Sequence, residues 1–466
     1  MPRAALAGLA ALAGWPDSEA TAAVFRNADP VLRTRYRVGA AAAASLAAGA
    51  IAADRLRAAR MDDERQEVEV DLRHAAASLR SSLYLTLDGP KPPAARDTLT
   101  GFYPVRDGRW VYLHCNFANH RDGIARLLGT PPEREAMAAA TAGWDGAALE
   151  SALAEAGMPG GLARDAESWQ REPQAHALAA LPVLEILRIG DAPPERLPAG
   201  QRPLAGIRVL DLTRVIAGPV GARTLAAHGA KVLKINAADL PSSGFLEFDT
   251  GIGKRSAFLD LRRVPDQSAL RRLVAQADVF VQSYRPGALA AKELGPAELA
   301  ELRPGIVYVT LSAFGHAGPW RDRRGFDSIV QTVSGMALAQ ARDTRPDSAE
   351  PALLPCSAID YVSGYLMAFG AMVALARRAE EGGSWLVRTS LAQVGRWIGA
   401  QGRAPEEALA GVPAEFAAEE LGAWLARAET PLGPLAYLAP AVRMSATPAR
   451  WDLPPVPLGT HKPEWW

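Results

Sequence analysis

The chain has 466 residues, with Lys plus Arg and Asp plus Glu balanced at 51 each. That length allows two or three domains with substantial cores. Balanced charge without a long single-sign run argues against nucleic acid as the main partner. Cys115 and Cys356, the two cysteines, lie far apart without metal-ligand spacing, which excludes a disulfide scaffold and fits a reduced setting. In chain order, residues 1–62 read as helical. Their apolar stretches, 4–14 and 38–53, are shorter than a bilayer span, so soluble helices and a cytoplasmic protein are expected. Residues 65–72 alternate apolar and charged side chains and predict a strand, followed by a helix to about Leu85 and a Pro-rich loop over 89–95. Residues 102–114 predict two short strands around the Arg106-Asp107-Gly108-Arg109 turn. Helices with Gly/Pro turns fill 119–180, a strand is expected over 182–189, and the four prolines of 191–203 mark a linker.

Beyond the linker the pattern changes. Strands are predicted at 207–212, 231–235, 278–282 and 306–311, alternating with helices that start at Gly218-Pro219, Asp266 and Glu298. This alternation implies a Rossmann-like open parallel sheet covered on both faces, joined to a smaller α/β domain. A strongly apolar helix is predicted over 360–380, and the tail after 401 carries two short helices and a Pro-rich end. A weak internal repeat sets Gly49-Ala50-Ile51 and 68–72 against Gly370-Ala371-Met372 and 387–391. On that register Gly39 stands where Asp360 does, so the first copy has no carboxylate there.

An open parallel sheet keeps its ligand crevice at the carboxyl ends of its strands. Thr213 to Pro219 follows the first such strand, and its small residues would let a ligand approach backbone amides; a generic turn is an equal reading. The sequence shows no dinucleotide fingerprint, P-loop, HExxH or GxSxG motif. Phe314 to Trp320 is a Gly-rich loop after the 306–311 strand, either a substrate loop or an ordinary turn. Asp360 opens an apolar helix, where free amides and the helix dipole stabilise a carboxylate; it is a plain first-turn aspartate or a nucleophile in a small-residue pocket.

Several separated segments resemble the class III coenzyme A transferases of the carnitine dehydratase/bile-acid-inducible (CaiB/BaiF) type. They are residues 203–212 with Ala217-Gly218-Pro219, 229–235, Lys254-Arg255-Ser256 with Leu259-Asp260-Leu261, and Tyr284-Arg285-Pro286-Gly287. Further on stand Ser312-Ala313-Phe314-Gly315 with Gly318-Pro319, Phe326-Asp327 with Gln331 and Ser334-Gly335, and Ile359-Asp360 with Gly364. Residues 1–190 are similar to the remaining part of the same family, through 68–72, the 103–110 turn, Gly157-Met158-Pro159 and Glu172-Pro173-Gln174. In the usual order these follow the sheet domain; here they precede it. The implied organisation is a truncated copy without a nucleophile over 1–190, a linker over 191–203, a Rossmann-like CoA-binding domain with the nucleophile helix over 204–400, and a shortened tail over 401–466.

The resemblance implies transfer of CoA from an acyl-CoA donor to a carboxylic acid, with Asp360 accepting the acyl group. It places Ile216, Ala217, Tyr284 and Arg285 along the CoA, Lys292 at a CoA phosphate, and Phe314 and Gly315 beside the thioester. It also implies no permanently bound cofactor and no metal, small-molecule partners only, no membrane, and a homodimer, unless the reordered chain completes the family's interlock within one molecule. Departures stand at Asn236, Gly253 and Ser283, and the loop beyond Asn236 shows no arginine for the CoA phosphates. The alternatives are a racemase, isomerase or lyase of the same fold, or a degenerate CoA-ester-binding subunit. The racemase branch carries a histidine where Phe326 stands.

Overall fold

A computed structural model describes residues 1–61, 64–89, 97–430 and 432–466. Most of the Pro-rich loop, residues 90–95, lies outside the described residues. The strands in chain order are β1 (Ala23–Arg26), β2 (Val68–Asp71), β3 (Thr86–Leu87), β4 (Gly101–Pro104), β5 (Trp110–Leu113), β6 (Gly160–Leu162), β7 (Glu185–Gly190) and β8 (Arg208–Leu212). They continue with β9 (Lys231–Asn236), β10 (Lys254–Phe258), β11 (Val279–Gln282), β12 (Val307–Ser312), β13 (Ser384–Ser390), β14 (Leu425–Thr430), β15 (Gly433–Leu438) and β16 (Val442–Met444).

The centre of the molecule is a seven-stranded sheet in the order β10-β9-β8-β11-β12-β13-β7. Its first six strands are parallel, and β7 closes the edge antiparallel to β13. β8, β9 and β11 are buried almost throughout, which explains their near-continuous apolar runs. From β8 the chain winds outward to β9 and β10, then returns to β11 on the other side of β8. The strand order therefore reverses between β8 and β11, and a crevice opens at their carboxyl ends.

The front part of the chain is woven into this frame. β7 belongs to it by sequence yet lies in the large sheet. β1 and β2 pair in parallel and receive β16 from the tail, and β3 pairs with β15. A third small sheet, β4-β5-β6, carries its own apolar core around Tyr103, Leu113 and Leu149. The Val38–Met61 and Ala358–Glu381 helices, 24 residues each, pack against one another. Both are buried on nearly every side, so each is apolar or small-residue all round rather than striped. Among the described residues Ala358–Glu381 alone is long and apolar enough to cross a membrane, and that apolar stretch is wholly buried in the protein.

Two sequence expectations change, and one strand, β10, was not anticipated. Residues 1–62 are not helical throughout: β1 interrupts them. The tail is not helices alone; it adds β14, β15 and β16. Lys254-Arg255-Ser256 forms strand β10. The linker has neither helix nor strand, but it is anchored: the Glu195 amide donates to the Arg378 carbonyl at 3.2 Å, and its carboxylate pairs with Arg303 at 2.7 Å.

Candidate active site

The turn after β8 is held from beneath by a buried charge pair. Lys254 Nζ donates to Asp211 Oδ2 and to the Pro219 carbonyl, each at 2.7 Å, and the Thr213 amide donates to Asp211 Oδ1 at 2.9 Å. Burial pushes the Lys254 ammonium down to about 8, against the upward pull of Asp211. Burial pushes Asp211 up, but Lys254 and Lys234 outweigh it and leave its carboxyl below the usual range. The turn over this pair is tight. Val215 sits at φ 71, a conformation a β-branched residue rarely adopts, and a Cβ on Gly218 would lie 2.4 Å from Thr213. The helix Ala217–Ala227 starts here, so Ile216 and Ala217 face the crevice.

The start of the Ala358–Glu381 helix is positioned by a second aspartate. Asp327 Oδ2 accepts the Asp360 amide at 3.0 Å, and Asp327 Oδ1 accepts from Gln331. Gln331 Oε1 in turn accepts the Leu354 amide at 2.8 Å. Asp327 and Gln331 thus set the first turn of the helix that carries Asp360. One turn on, the absence of a side chain at Gly364 lets this helix meet the Ala217–Ala227 helix. A Cβ there would stand 2.6 Å from the Ala217 carbonyl and 2.7 Å from Val220.

These elements enclose a cavity of about 440 Å³ at the reversal of strand order. Ile216, Ala217, Tyr284, Arg285 and Asp360 all line it, so the structure brings together five of the residues singled out in the sequence. Asp360 is 7% exposed, and no hydrogen bond reaches its carboxyl oxygens among the described residues. Burial, with the charge of Asp327 added, pushes that carboxyl well above the usual carboxylate range.

Three expected residues lie elsewhere. Lys292 is outside the lining, its Nζ 3.4 Å from the Leu261 carbonyl. Phe314 and Gly315 are also outside it: Phe314 is buried edge-on against Trp320, and a Cβ on Gly315 would press on Leu178. Their loop is fastened by Gln174, whose Nε2 donates to the Phe314 and Ala317 carbonyls at 2.6 and 2.9 Å while its Oε1 accepts the Trp320 amide at 2.7 Å. The Gly-rich pattern there reflects packing against the front part of the chain.

Sequence reasoning missed most of the cationic lining. Arg214, Arg321, Arg323 and Arg324 join Arg285, and Asp360 is the one carboxylate of the lining among the described residues. Arg321 pairs with Asp322, and Arg323 approaches Glu150. Arg214 reaches only the Pro241 carbonyl and the face of Phe117, and Arg285 and Arg324 have no ion pair among the described residues. Burial and the charge of Arg285 lower the Arg324 guanidinium. These lining arginines come from the turns after β8, β11 and β12, and none comes from the described residues of the loop after β9. The front part of the chain adds Phe117, Asn119 and His120 to the same cavity.

A family model described as CoA-transferase family III matches residues 3–193 and 204–414, on either side of the linker. Acetyl-coenzyme A transferase nodX of Hypoxylon pulicicidum is 28% identical over 327 residues, covering 65% of this chain and 54% of that protein. Succinyl-CoA--D-citramalate CoA-transferase of Chloroflexus aurantiacus is 33% identical, with coverage of 39% and 47%. Human succinyl-CoA:glutarate CoA-transferase is 31% identical, with coverage of 37% and 41%. A solved CAIB/BAIF family protein from Brucella suis is 27% identical, covers 44% of this chain and 59% of its own, and superposes with a TM-score of 0.38. The chain spans about half the length of the curated relatives it matches. With the family model matched over most of its length, the chain belongs to CoA-transferase family III.

Proposed function

We propose that this protein transfers coenzyme A from an acyl-CoA to a carboxylic acid through a covalent intermediate on Asp360. The observation that carries the reading is the cavity's charge pattern: one buried carboxyl without an ion pair, among five arginines of which Arg214, Arg285 and Arg324 lack a carboxylate partner among the described residues. A desolvated carboxylate is a stronger nucleophile than one held by ion pairs, and free guanidinium groups suit a polyanion such as CoA. Arg214, Arg285 and Arg324 would hold the phosphates or an acid substrate, Tyr284 and Ile216-Ala217 would lie along the pantetheine arm, and Lys292 would act only from outside the cavity.

The sequence of steps balances. The Asp360 carboxylate attacks the thioester carbonyl, the C–S bond breaks, and a mixed anhydride and CoA thiolate result. The thiolate attacks the aspartyl carbonyl, which releases the donor acid and leaves an aspartyl-CoA thioester. The acceptor carboxylate then attacks that thioester, regenerating an anhydride and thiolate, and the thiolate takes the acceptor acyl group and frees Asp360. CoA is a substrate throughout, with no resident cofactor in the scheme.

Relatives are named for succinyl-CoA with citramalate, glutarate and malate, so succinyl-CoA radiolabelled in its CoA moiety, offered with those three acids, is the first panel to run. Label should move to an acceptor in the wild type, and Asp360→Ala should lower the rate at least about 10³-fold, ~4 kcal/mol of transition-state stabilisation. Undiminished transfer by Asp360→Ala would overturn the assignment. Binding of acyl-CoA without transfer to any acid would favour a CoA-ester-binding subunit.

A further inference from the structure

His120 lies in the first turn of the Ala118–Leu128 helix, in the part of the chain that precedes the linker. It is 5% exposed, and it lines the same cavity as Asp360. Its ring stands edge-on to Phe117, with centroids 5.5 Å apart, and 6.0 Å from Phe326. Phe326 is itself stacked on His114 at 3.7 Å and directly precedes Asp327, the residue that accepts the Asp360 amide. His120 Nδ1 is buried and has no hydrogen-bond partner among the described residues. A core histidine is ordinarily tied to a carbonyl or carboxylate. This one is held by aromatic rings alone, at the wall of a reaction chamber.

Two physical points fix its state. Burial, with the charges of Arg324 and Arg214 added, lowers the imidazole to about 4, so the ring is neutral at neutral pH. A neutral imidazole carries one N–H and one lone pair. A buried N–H without an acceptor costs more than a buried lone pair without a donor. The unpartnered Nδ1 therefore favours the tautomer with the lone pair on Nδ1 and the proton on Nε2.

We propose that His120 is a substrate-contacting residue that donates its Nε2–H to the acyl oxygen of the bound thioester. The proposal rests on the reading of the cavity as a thioester site. Attack on a thioester builds negative charge on that oxygen, and a fixed donor in the cavity wall stabilises the charge as it develops. A neutral donor does this without a proton transfer that would have to be reversed at each of the later steps. His120 would thereby make the front part of the chain a participant in the chemistry of the second part.

The test uses the full-length chain, succinyl-CoA with its working acid acceptor, and a ketone analogue of succinyl-CoA in which CH2 replaces the thioester sulfur. His120→Ala should lower kcat by about 100-fold with KM changed less than about threefold, and His120→Gln, which keeps a donor, should regain at least about tenfold. Melting curves of both variants identify any loss that comes from folding, and the Gln variant carries the comparison if the Ala variant is unstable. Nitrogen-15 NMR should show His120 as the neutral Nε2–H tautomer between pH 6 and 8, with that nitrogen shifting when the ketone binds. If transfer proceeds and His120→Ala is as fast as wild type, or the resonance stays put on binding, the His120 assignment falls and the transfer reading stands. If the ketone binds and moves the resonance but no acid accepts CoA, the transfer reading falls and the His120 contact survives. No ketone binding at all overturns both.

Discussion

Asp360 is the residue where burial and chemistry meet. Burial, with Asp327 beside it, raises its carboxyl in the folded state well above the unfolded value. The fold therefore favours the neutral form. That contribution to stability is complete below the unfolded carboxylate range and is lost as pH rises through the folded value. Asp360→Asn, neutral at every pH, should accordingly raise the melting temperature at pH 8 more than at pH 4, measured by paired thermal melts. An equal gain at both would mean that the carboxyl is not strained by burial. On the proposed reading, Arg285 and Arg324 act on binding rather than chemistry. Replacing either with Ala should raise KM for acyl-CoA about tenfold, ~1.4 kcal/mol for a charge-assisted contact, with kcat nearly unchanged and the effect shrinking in salt. Asp360 was legible in the sequence because a carboxylate at the head of an apolar helix stands out. Arg324 and His120 were not, because each acquires its meaning only when segments far apart in the chain converge on one wall.

Two elements fix the geometry of the cavity, and both rest on close approach. The helices that start at Ala217 and Ala358 cross at Gly364, with Gly221 facing the Gly364 carbonyl. Gly364→Ala would drive a Cβ into the Ala217 carbonyl and should cost roughly 1–3 kcal/mol in chemical denaturation. Transfer should fall with it, because Ala217 and Asp360 move relative to one another. The β8 turn depends on Lys254, and Lys254→Met strands a fully buried Asp211. That substitution should cost roughly 3–5 kcal/mol, and adding Asp211→Leu should recover part of it. The long apolar strands of the main sheet were readable from periodicity, as was the β4–β5 hairpin. β10 was hidden because its first three residues are polar: Lys254 is buried by the Asp211 pair, Ser256 by hydrogen bonds from the tail, and Arg255 lies half-buried over Trp466. β1 and β14 to β16 were hidden because short strands, some rich in Ala and Glu, owe their form to partners distant in sequence.

At the scale of the whole molecule, the chain binds its front part, its central sheet and its tail together. β7 edges the main sheet, β16 joins β2, and the Val38–Met61 helix lies along the Ala358–Glu381 helix. The segment around Asp29 and Gly39 parallels the one around Asp327 and Asp360, but its helix start is closed. Asp29 accepts the Gly39 and Ala40 amides at 3.0 and 2.7 Å, as Asp327 accepts that of Asp360, and a Cβ on Gly39 would lie 2.6 Å from Asp29 Oδ1. We therefore expect one CoA site per chain, which calorimetry with the ketone analogue would count. Proteolytic nicking within the linker should leave the two fragments co-eluting on gel filtration, and separation without denaturant would contradict the interlock. Solution mass decides whether the interlock suffices at 49.4 kDa or the expected homodimer forms at twice that. The sequence order suggests a rearrangement, and the strand exchange shows which segments pair: β7 with β13, β3 with β15, and β16 with β2. The most direct measurement is mass spectrometry of the protein quenched during turnover with succinyl-CoA, then treated with hydroxylamine or borohydride. The peptide bearing Asp360 should carry the hydroxamate or the reduced alcohol in the wild type, and Asp360→Ala should carry neither. Turnover with that peptide unmodified, or with the label on another residue, would contradict the account.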